Sequence, residues 1–182
     1  MKLTGKEDFL TVSKTSDTSE EIEVPFPFIV AVDTREQMPF TFSDLHQNLK
    51  RLRVYKNVQT LKTGDYSIVG FENRVCVERK SKQDLFGSVS SGRDRFEREL
   101  GRMSKMERAC VVVECSMQSV KQGLEQSQMD PMNVLFTMIS WAGRYRVPWM
   151  FCETRGEAEF FALKFLDFAW REFVNGRKTA GS

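Results

Sequence analysis

The chain has 182 residues and a net charge of +2, with 41% hydrophobic and 29% charged side chains, which suits one globular domain with a single core. No apolar run approaches the roughly 18–20 residues of a membrane span, and no basic-then-apolar stretch opens the chain, so neither a helical membrane span nor a secretory signal is expected. One histidine, His46, and four cysteines without a CxxC pair give a structural zinc site or a histidine-based triad nothing to be built on.

Residues 1 to about 24 have no period and are rich in Ser, Thr, Glu and Lys; they are expected to form a flexible polar arm. The domain is taken from residue 25 to residue 175. Pro25-Phe26-Pro27 ends the arm, and Phe28-Ile29-Val30-Ala31-Val32 is a continuous apolar run, the pattern of a buried strand, closed by Asp33-Thr34-Arg35-Glu36. A short helix is expected from Ser43. Arg51 to Gln59 alternates as a strand with Leu52, Val54 and Val58 facing inward. Gly64-Asp65-Tyr66 turns into the strand Ser67-Ile68-Val69, and a tight turn leads to a strand from Arg74 that runs directly into Glu78-Arg79-Lys80.

Ser81, with Asp84 three residues on, makes a capping box for a helix. A second helix spans about Gly92 to Met106, with Phe96, Leu100 and Met103 as its apolar stripe. Ala109 to Val113 is another apolar strand, ending at Glu114. Asp130-Pro131 opens a helix with an N-cap and a first-turn proline. Pro148 to Cys152 is a last strand. Thr154 and Glu157 form a second capping box for a long helix to about Val174, and the tail 176–182 is expected to fray. Cys76, Cys110 and Cys152 lie in or beside apolar runs, where a reduced cysteine is a small buried side chain. Buried strands between helices imply an α/β fold, a central mixed sheet with helices on both faces.

Side chains two apart on a strand share a face, so Glu78 and Lys80 project together and Arg79 the other way. If the strands flanking the 70–73 turn pair, Asp65 meets Glu78. Two carboxylates at one point repel unless a cation lies between them, and hard oxygen ligands favour Mg²⁺ or Mn²⁺. A lysine beside such an ion can orient water and stabilise negative charge developing on a phosphoryl group.

These residues and their neighbours carry a resemblance. Asp33-Thr34-Arg35-Glu36, then Gly64-Asp65-Tyr66, then Val77-Glu78-Arg79-Lys80-Ser81-Lys82-Gln83-Asp84 resemble the nuclease domain of the XPF family of structure-specific endonucleases, whose signature is GD followed by ERKxxxD. The likeness covers about residues 26 to 173. It implies a restriction-endonuclease-like fold and a Mg²⁺-dependent cut in branched or flapped DNA, in repair or recombination. The cell's interior, with access to DNA, is the implied location: a prokaryotic or infected-cell cytoplasm, or a nucleus. By similarity, Asp65, Glu78 and the carbonyl of Arg79 would hold the metal, and Glu36 would stand beside it, directly or through water. Asp33 would support the acidic cluster, Lys80 would handle the attacking water, and Arg35 would hold carboxylates or phosphate. Asp84 matches the last motif position, although a capping acid explains it equally. A related alternative is a catalytically silent scaffold subunit that binds DNA, but such partners lose the acids or the lysine, which are all present here. The family's usual tandem helix-hairpin-helix module has no room in these residues, so the nuclease motif alone does not set branch preference.

Arg93, Arg95, Arg98, Arg102 and Lys105 follow the motif block. They suit contacts to DNA phosphates or a solvated helix face balanced by Asp94, Glu97 and Glu99; Glu97 and Glu99 depart from the glutamine and basic residues more usual in the family. The last helix carries Phe160, Phe161, Leu163, Phe165, Leu166, Phe168, Trp170 and Phe173 over more than one face, which calls for burial on two sides. The resemblance favours a homodimer through it.

Overall fold

A computed structural model describes residues 23–47 and 50–179, with side chains as far as Asn175. Its strands β1 (Glu23–Asp33), β2 (His46–Gln47), β3 (Lys50–Gln59), β4 (Tyr66–Ile68), β5 (Val75–Lys80), β6 (Arg108–Val113) and β7 (Trp149–Phe151) form one mixed sheet in the order β2-β3-β1-β4-β5-β6-β7. β1 and β3 pair in parallel, as do β5 with β6 and β6 with β7, while β4 is antiparallel to both of its neighbours. Parallel neighbours need long crossovers; a loop carrying the short β2 makes the one from β1 to β3, and helices make the others. α1 (Lys82–Val89) and α2 (Arg93–Met103) connect β5 to β6; α3 (Met117–Lys121) and α4 (Pro131–Tyr145) connect β6 to β7.

The sheet has a core on each face. α5 (Arg155–Thr179) buries Ala162, Leu166 and Ala169 in one core cluster with Phe26, Phe28, Val30 and Val32 of β1 and Val75 and Val77 of β5. Leu85 and Phe86 of α1, Leu100 of α2 and Val134 and Trp141 of α4 pack on Cys76, Val111 and Val113 on the opposite face. β5 alternates between them: Val75 and Val77 belong to the α5 side, Cys76 to the α2 side. The mixed sheet with helices on both faces is the architecture the sequence implied.

Several local readings need correction. Residues 43–45 form a turn leading into β2 rather than a helix, and α3 was not anticipated. Ile29 is 44% exposed, because α1 to α4 cover the β5–β7 half of the sheet and leave the second face of β1 and β3 open to water; Val58 is 66% exposed although it shares the face of Leu52 and Val54, because it lies at the end of β3 outside the α5-side core. β1 begins at Glu23, two residues inside the segment read as an arm, and residues 1–22 lie outside the described residues. Pro25 and Pro27 are accommodated in β1 by a register shift between Pro25 and Ile29, as prolines that cannot donate to a ladder require. α5 continues to Thr179, through part of the tail expected to fray, and residues 180–182 lie outside the description. No described helix is long and apolar enough to cross a membrane.

Candidate active site

The turn before β4 is shaped by Gly64. Its φ is +72°, and a Cβ there would lie 2.8 Å from Cβ of Cys76, so only glycine fits both the backbone and the space. The next residue, Asp65, donates its N–H to the carbonyl of Val77 at 2.9 Å, and its own carbonyl accepts from Asp33 N–H at 2.8 Å. Asp65 is thereby fixed between β1 and the end of β5. Its Oδ2 accepts the Arg79 N–H at 2.7 Å.

Pleat alternation puts Glu78 and Lys80 on the α2 side and Arg79 on the α5 side, as the spacing of two requires. Lys80 Nζ lies 2.6 Å from Glu78 Oε1 and 4.3 Å from the centroid of the Phe96 ring on α2, so the ammonium is held by a carboxylate and an aromatic face together. Burial, joined by the charge of Glu78, pushes the Asp65 carboxyl up to about 8, against the opposing pull of the Arg79 N–H and Lys80. Burial also raises Glu78, which Lys80 pulls back down and which Glu99 and Glu36 push up further. Two carboxylates facing one point, served by one lysine, form a donor set that a hard divalent cation would relieve. Among the described residues no three histidine, cysteine, aspartate or glutamate side chains converge to hold a metal, so the fit rests on Asp65 and Glu78.

Glu36 does not join that pair directly. Its Oε1 accepts from Met38 N–H at 2.7 Å and from Arg79 Nη1 at 3.2 Å; its Oε2 has no partner among the described residues. That geometry leaves one carboxylate oxygen free to meet a metal directly or through water. The Arg79 guanidinium also grips Glu114 through Nε at 2.8 Å and Nη2 at 2.6 Å. Burial opposes its charge, but Glu114 and Glu36 more than compensate and hold it firmly protonated. Glu114 in turn accepts from Arg155 Nη1 at 2.9 Å.

Asp33 is placed as a structural acid. Its Oδ1 accepts from Arg35 N–H and Nε, both at 2.7 Å, and its Oδ2 accepts from Arg35 Nη2 at 3.0 Å and Leu61 N–H at 2.7 Å. Those four bonds occupy both oxygens. Arg35 adds a bond to the Leu61 carbonyl at 2.7 Å and holds a carboxylate, while most of its side chain remains in water. Asp84 closes the capping box with Ser81 at the start of α1 and makes no contact with the Asp65–Glu78 pair.

The basic stripe divides. Arg93 pairs with Glu97 and Arg102 with Glu99, while Arg95, Arg98 and Lys105 are exposed and have no partner among the described residues. Glu97 also accepts from Trp141 Nε1 at 3.0 Å and Tyr145 Oη at 3.3 Å, clasping α2 to α4. Glu99 accepts the N–H of Gly64 at 2.9 Å and so pins the turn that carries Asp65. Sequence reasoning treated Glu99 only as a counter-charge. The available signal was its position within the stripe of Phe96, Leu100 and Met103, where an acid must meet a partner on the sheet side. Arg155 was missed as well. A cation in the first turn of a helix opposes the macrodipole, and such a misplaced charge calls for a specific partner.

No curated protein sequence matches the chain. Its fold is similar to that of XPF from Aeropyrum pernix, with a TM-score of 0.60 at 18% identity over 82% of this chain and 68% of that one. It is equally similar to the same protein in complex with DNA, with a TM-score of 0.59 at 18% identity over 79% of this chain and 66% of that one. The ERCC4 domain model matches residues 32–164, a span that runs from the end of β1 into α5 and takes in the whole Asp65–Glu78–Lys80 site. The chain therefore belongs to the ERCC4-domain family, the XPF-type nucleases.

Proposed function

We propose that the chain is a divalent-metal-dependent DNA endonuclease that cuts branched or single-strand/duplex junction DNA inside cells, in repair or recombination. The observation that carries this reading is the meeting of Asp65 and Glu78 across paired strands with Lys80 at 2.6 Å from Glu78. Asp65, Glu78 and the Arg79 carbonyl would hold Mg²⁺, with Mn²⁺ able to substitute. The bound ion supplies Lewis acidity and a more acidic water for attack on phosphorus. Lys80 would orient an attacking water and face negative charge as it develops on the phosphoryl oxygens. Glu36 Oε2 would accept a hydrogen bond from a water at the site, and Asp33 and Glu99 keep Asp65 in place through the backbone.

The similar structure that was solved with DNA supports DNA as the partner. Of the basic stripe, Arg95, Arg98 and Lys105 are the cations without a partner among the described residues and so free to meet phosphates. Arg95→Ala with Arg98→Ala is expected to weaken binding to every DNA alike and to reduce the salt slope of log K by about 2. Fluorescence anisotropy at several salt concentrations checks this; an unchanged slope returns the stripe to a solvated face.

A homodimer through α5 belongs to the same reading. Phe161 is 40% and Phe168 63% exposed, seven residues apart and so on one face. The neighbouring strand β7 is a sheet edge, and Phe136 and Ile139 of α4 are exposed as well. Phe161→Glu with Phe168→Glu is expected to yield a monomer by light scattering, and a wild type already monomeric well above micromolar concentration would remove the dimer.

The deciding experiment is cleavage of labelled flap, fork, nicked, four-way and plain duplex DNAs with Mg²⁺, Mn²⁺ or EDTA. Metal-dependent cutting with a preference for one branched substrate supports the nuclease. Tight binding that is indifferent to metal, without cutting, favours a scaffold subunit.

A further inference from the structure

We propose that Arg155, the first residue of α5, is a positioning residue for the candidate metal site and acts through Glu36. This rests on the metal-site reading above. Arg155 Nη2 donates to the carbonyls of Met38 and Pro39, each at 2.8 Å, and Nη1 donates to Glu114 Oε1 at 2.9 Å. The same Glu114 oxygen accepts from Arg79 Nε at 2.8 Å. Both guanidinium groups lie over the Phe40 ring, Arg155 at 5.2 Å and Arg79 at 5.8 Å from its centroid. Arg155 therefore grips the loop after β1 by two main-chain carbonyls, and through Glu114 it also fixes the guanidinium that holds Glu36.

The Glu36 carboxylate has two anchors, Met38 N–H and Arg79 Nη1, and Arg155 stands behind both of them. It binds the carbonyl of Met38 itself, and it shares Glu114 with Arg79. With Oε1 taken by these anchors, the direction of the unpartnered Oε2 is set by Arg155. An outer-shell group that orients a carboxylate tunes metal affinity without touching the metal. The arrangement explains why a cation is tolerated at the N-terminus of α5, where the helix dipole disfavours it: two carbonyls and two carboxylates, Glu114 and Glu159 at 3.6 Å, receive the charge.

The test is Mn²⁺ binding to the full chain, read by loss of the free-ion electron paramagnetic resonance signal, beside the Mn²⁺ concentration that half-activates cleavage. Arg155→Ala is expected to weaken Mn²⁺ by about tenfold and to raise the half-activating concentration by the same factor, with metal-free DNA affinity unchanged. Arg155→Lys, which keeps the charge but loses the fork to both carbonyls, is expected to fall between. In a Glu36→Gln background the Arg155→Ala effect is expected to vanish, since both act on one carboxylate. Unchanged Mn²⁺ affinity in Arg155→Ala, or full additivity with Glu36→Gln, overturns the proposal. Should Arg155→Ala not fold, Glu114→Gln replaces it in the same cycle with the same expectation and the same overturning result. Wild-type protein whose Mn²⁺ binding does not depend on Asp65 defeats the metal-site reading itself, whereas Asp65-dependent binding indifferent to Arg155 defeats only this inference.

Discussion

Asp65→Asn is expected to reduce cleavage to the level of the EDTA control, a loss of more than about 10³-fold, while raising the melting temperature of the metal-free protein at pH 8. The two effects have one cause. Folding buries Asp65 against Glu78 and pushes its carboxyl up to about 8, whereas in the unfolded chain it lies near 3.9, about the ordinary value. Between those two values the folded protein keeps a proton that the unfolded chain has released. Stability therefore falls as pH rises through that window and levels off above it. Asparagine removes the titration, and its oxygen can still accept the Arg79 N–H that Asp65 Oδ2 accepts at 2.7 Å. The gain over wild type is thus small near pH 4 to 5 and largest at pH 8 and above, about 5 °C for a chain of this length. Mg²⁺ is expected to stabilise wild type at pH 8 and to do little for Asp65→Asn. Calorimetry at both pH values, with and without Mg²⁺, checks the series. A variant that melts lower than wild type at pH 8 would show that the pair carries no repulsion, and a fully active one would place the site elsewhere.

Much of the site was legible because strand geometry acts over two residues. Glu78 and Lys80 share a face by pleat alone, and the tight turn between β4 and β5 brings Asp65 opposite Glu78. Capping signals located α1 and α4 for the same reason: Ser81 with Asp84, and Asp130 with Pro131, are local chemistry. What the sequence withheld depends on distant partners. Glu114 lies between Arg79 and Arg155, and Arg155 reaches Met38 and Pro39 from the far end of the chain; no spacing rule links them. The apolar run at Phe28–Val32 suggested burial on both faces, yet Ile29 faces water because the α1 to α4 layer stops at β5 and β6. Glu97 and Glu99 stood out as departures from the family pattern, and each has a structural use. One clasps α4, the other holds Gly64.

Asp33→Ala is expected to be the most destabilising change near the site, by about 3 kcal/mol or roughly 9 °C at this size, although the resemblance would class Asp33 with the catalytic acids. Burial alone would push the Asp33 carboxyl up, but the Arg35 side chain, the N–H groups of Arg35 and Leu61 and the guanidinium charge hold it below the ordinary range. A depressed value contributes stability that is present above the unfolded value, near 4, and lost as pH falls through the folded one. Removing the carboxylate strands the Leu61 N–H in a buried position and frees the Arg35 side chain, which is already 69% exposed and regains water at little cost. Arg35→Ala should therefore destabilise much less than Asp33→Ala. Asp33→Asn, with one acceptor oxygen left for four donors, should fall between, and its deficit should shrink below pH 4, where wild type loses the same carboxylate. Cleavage separates the two roles. At low temperature, where Asp33→Asn remains folded, it should retain activity within about tenfold of wild type, because Asp33 reaches Asp65 only through its own N–H to the Asp65 carbonyl, and that bond survives the substitution. Folded Asp33→Asn as inactive as Asp65→Asn would make Asp33 a participant in the chemistry.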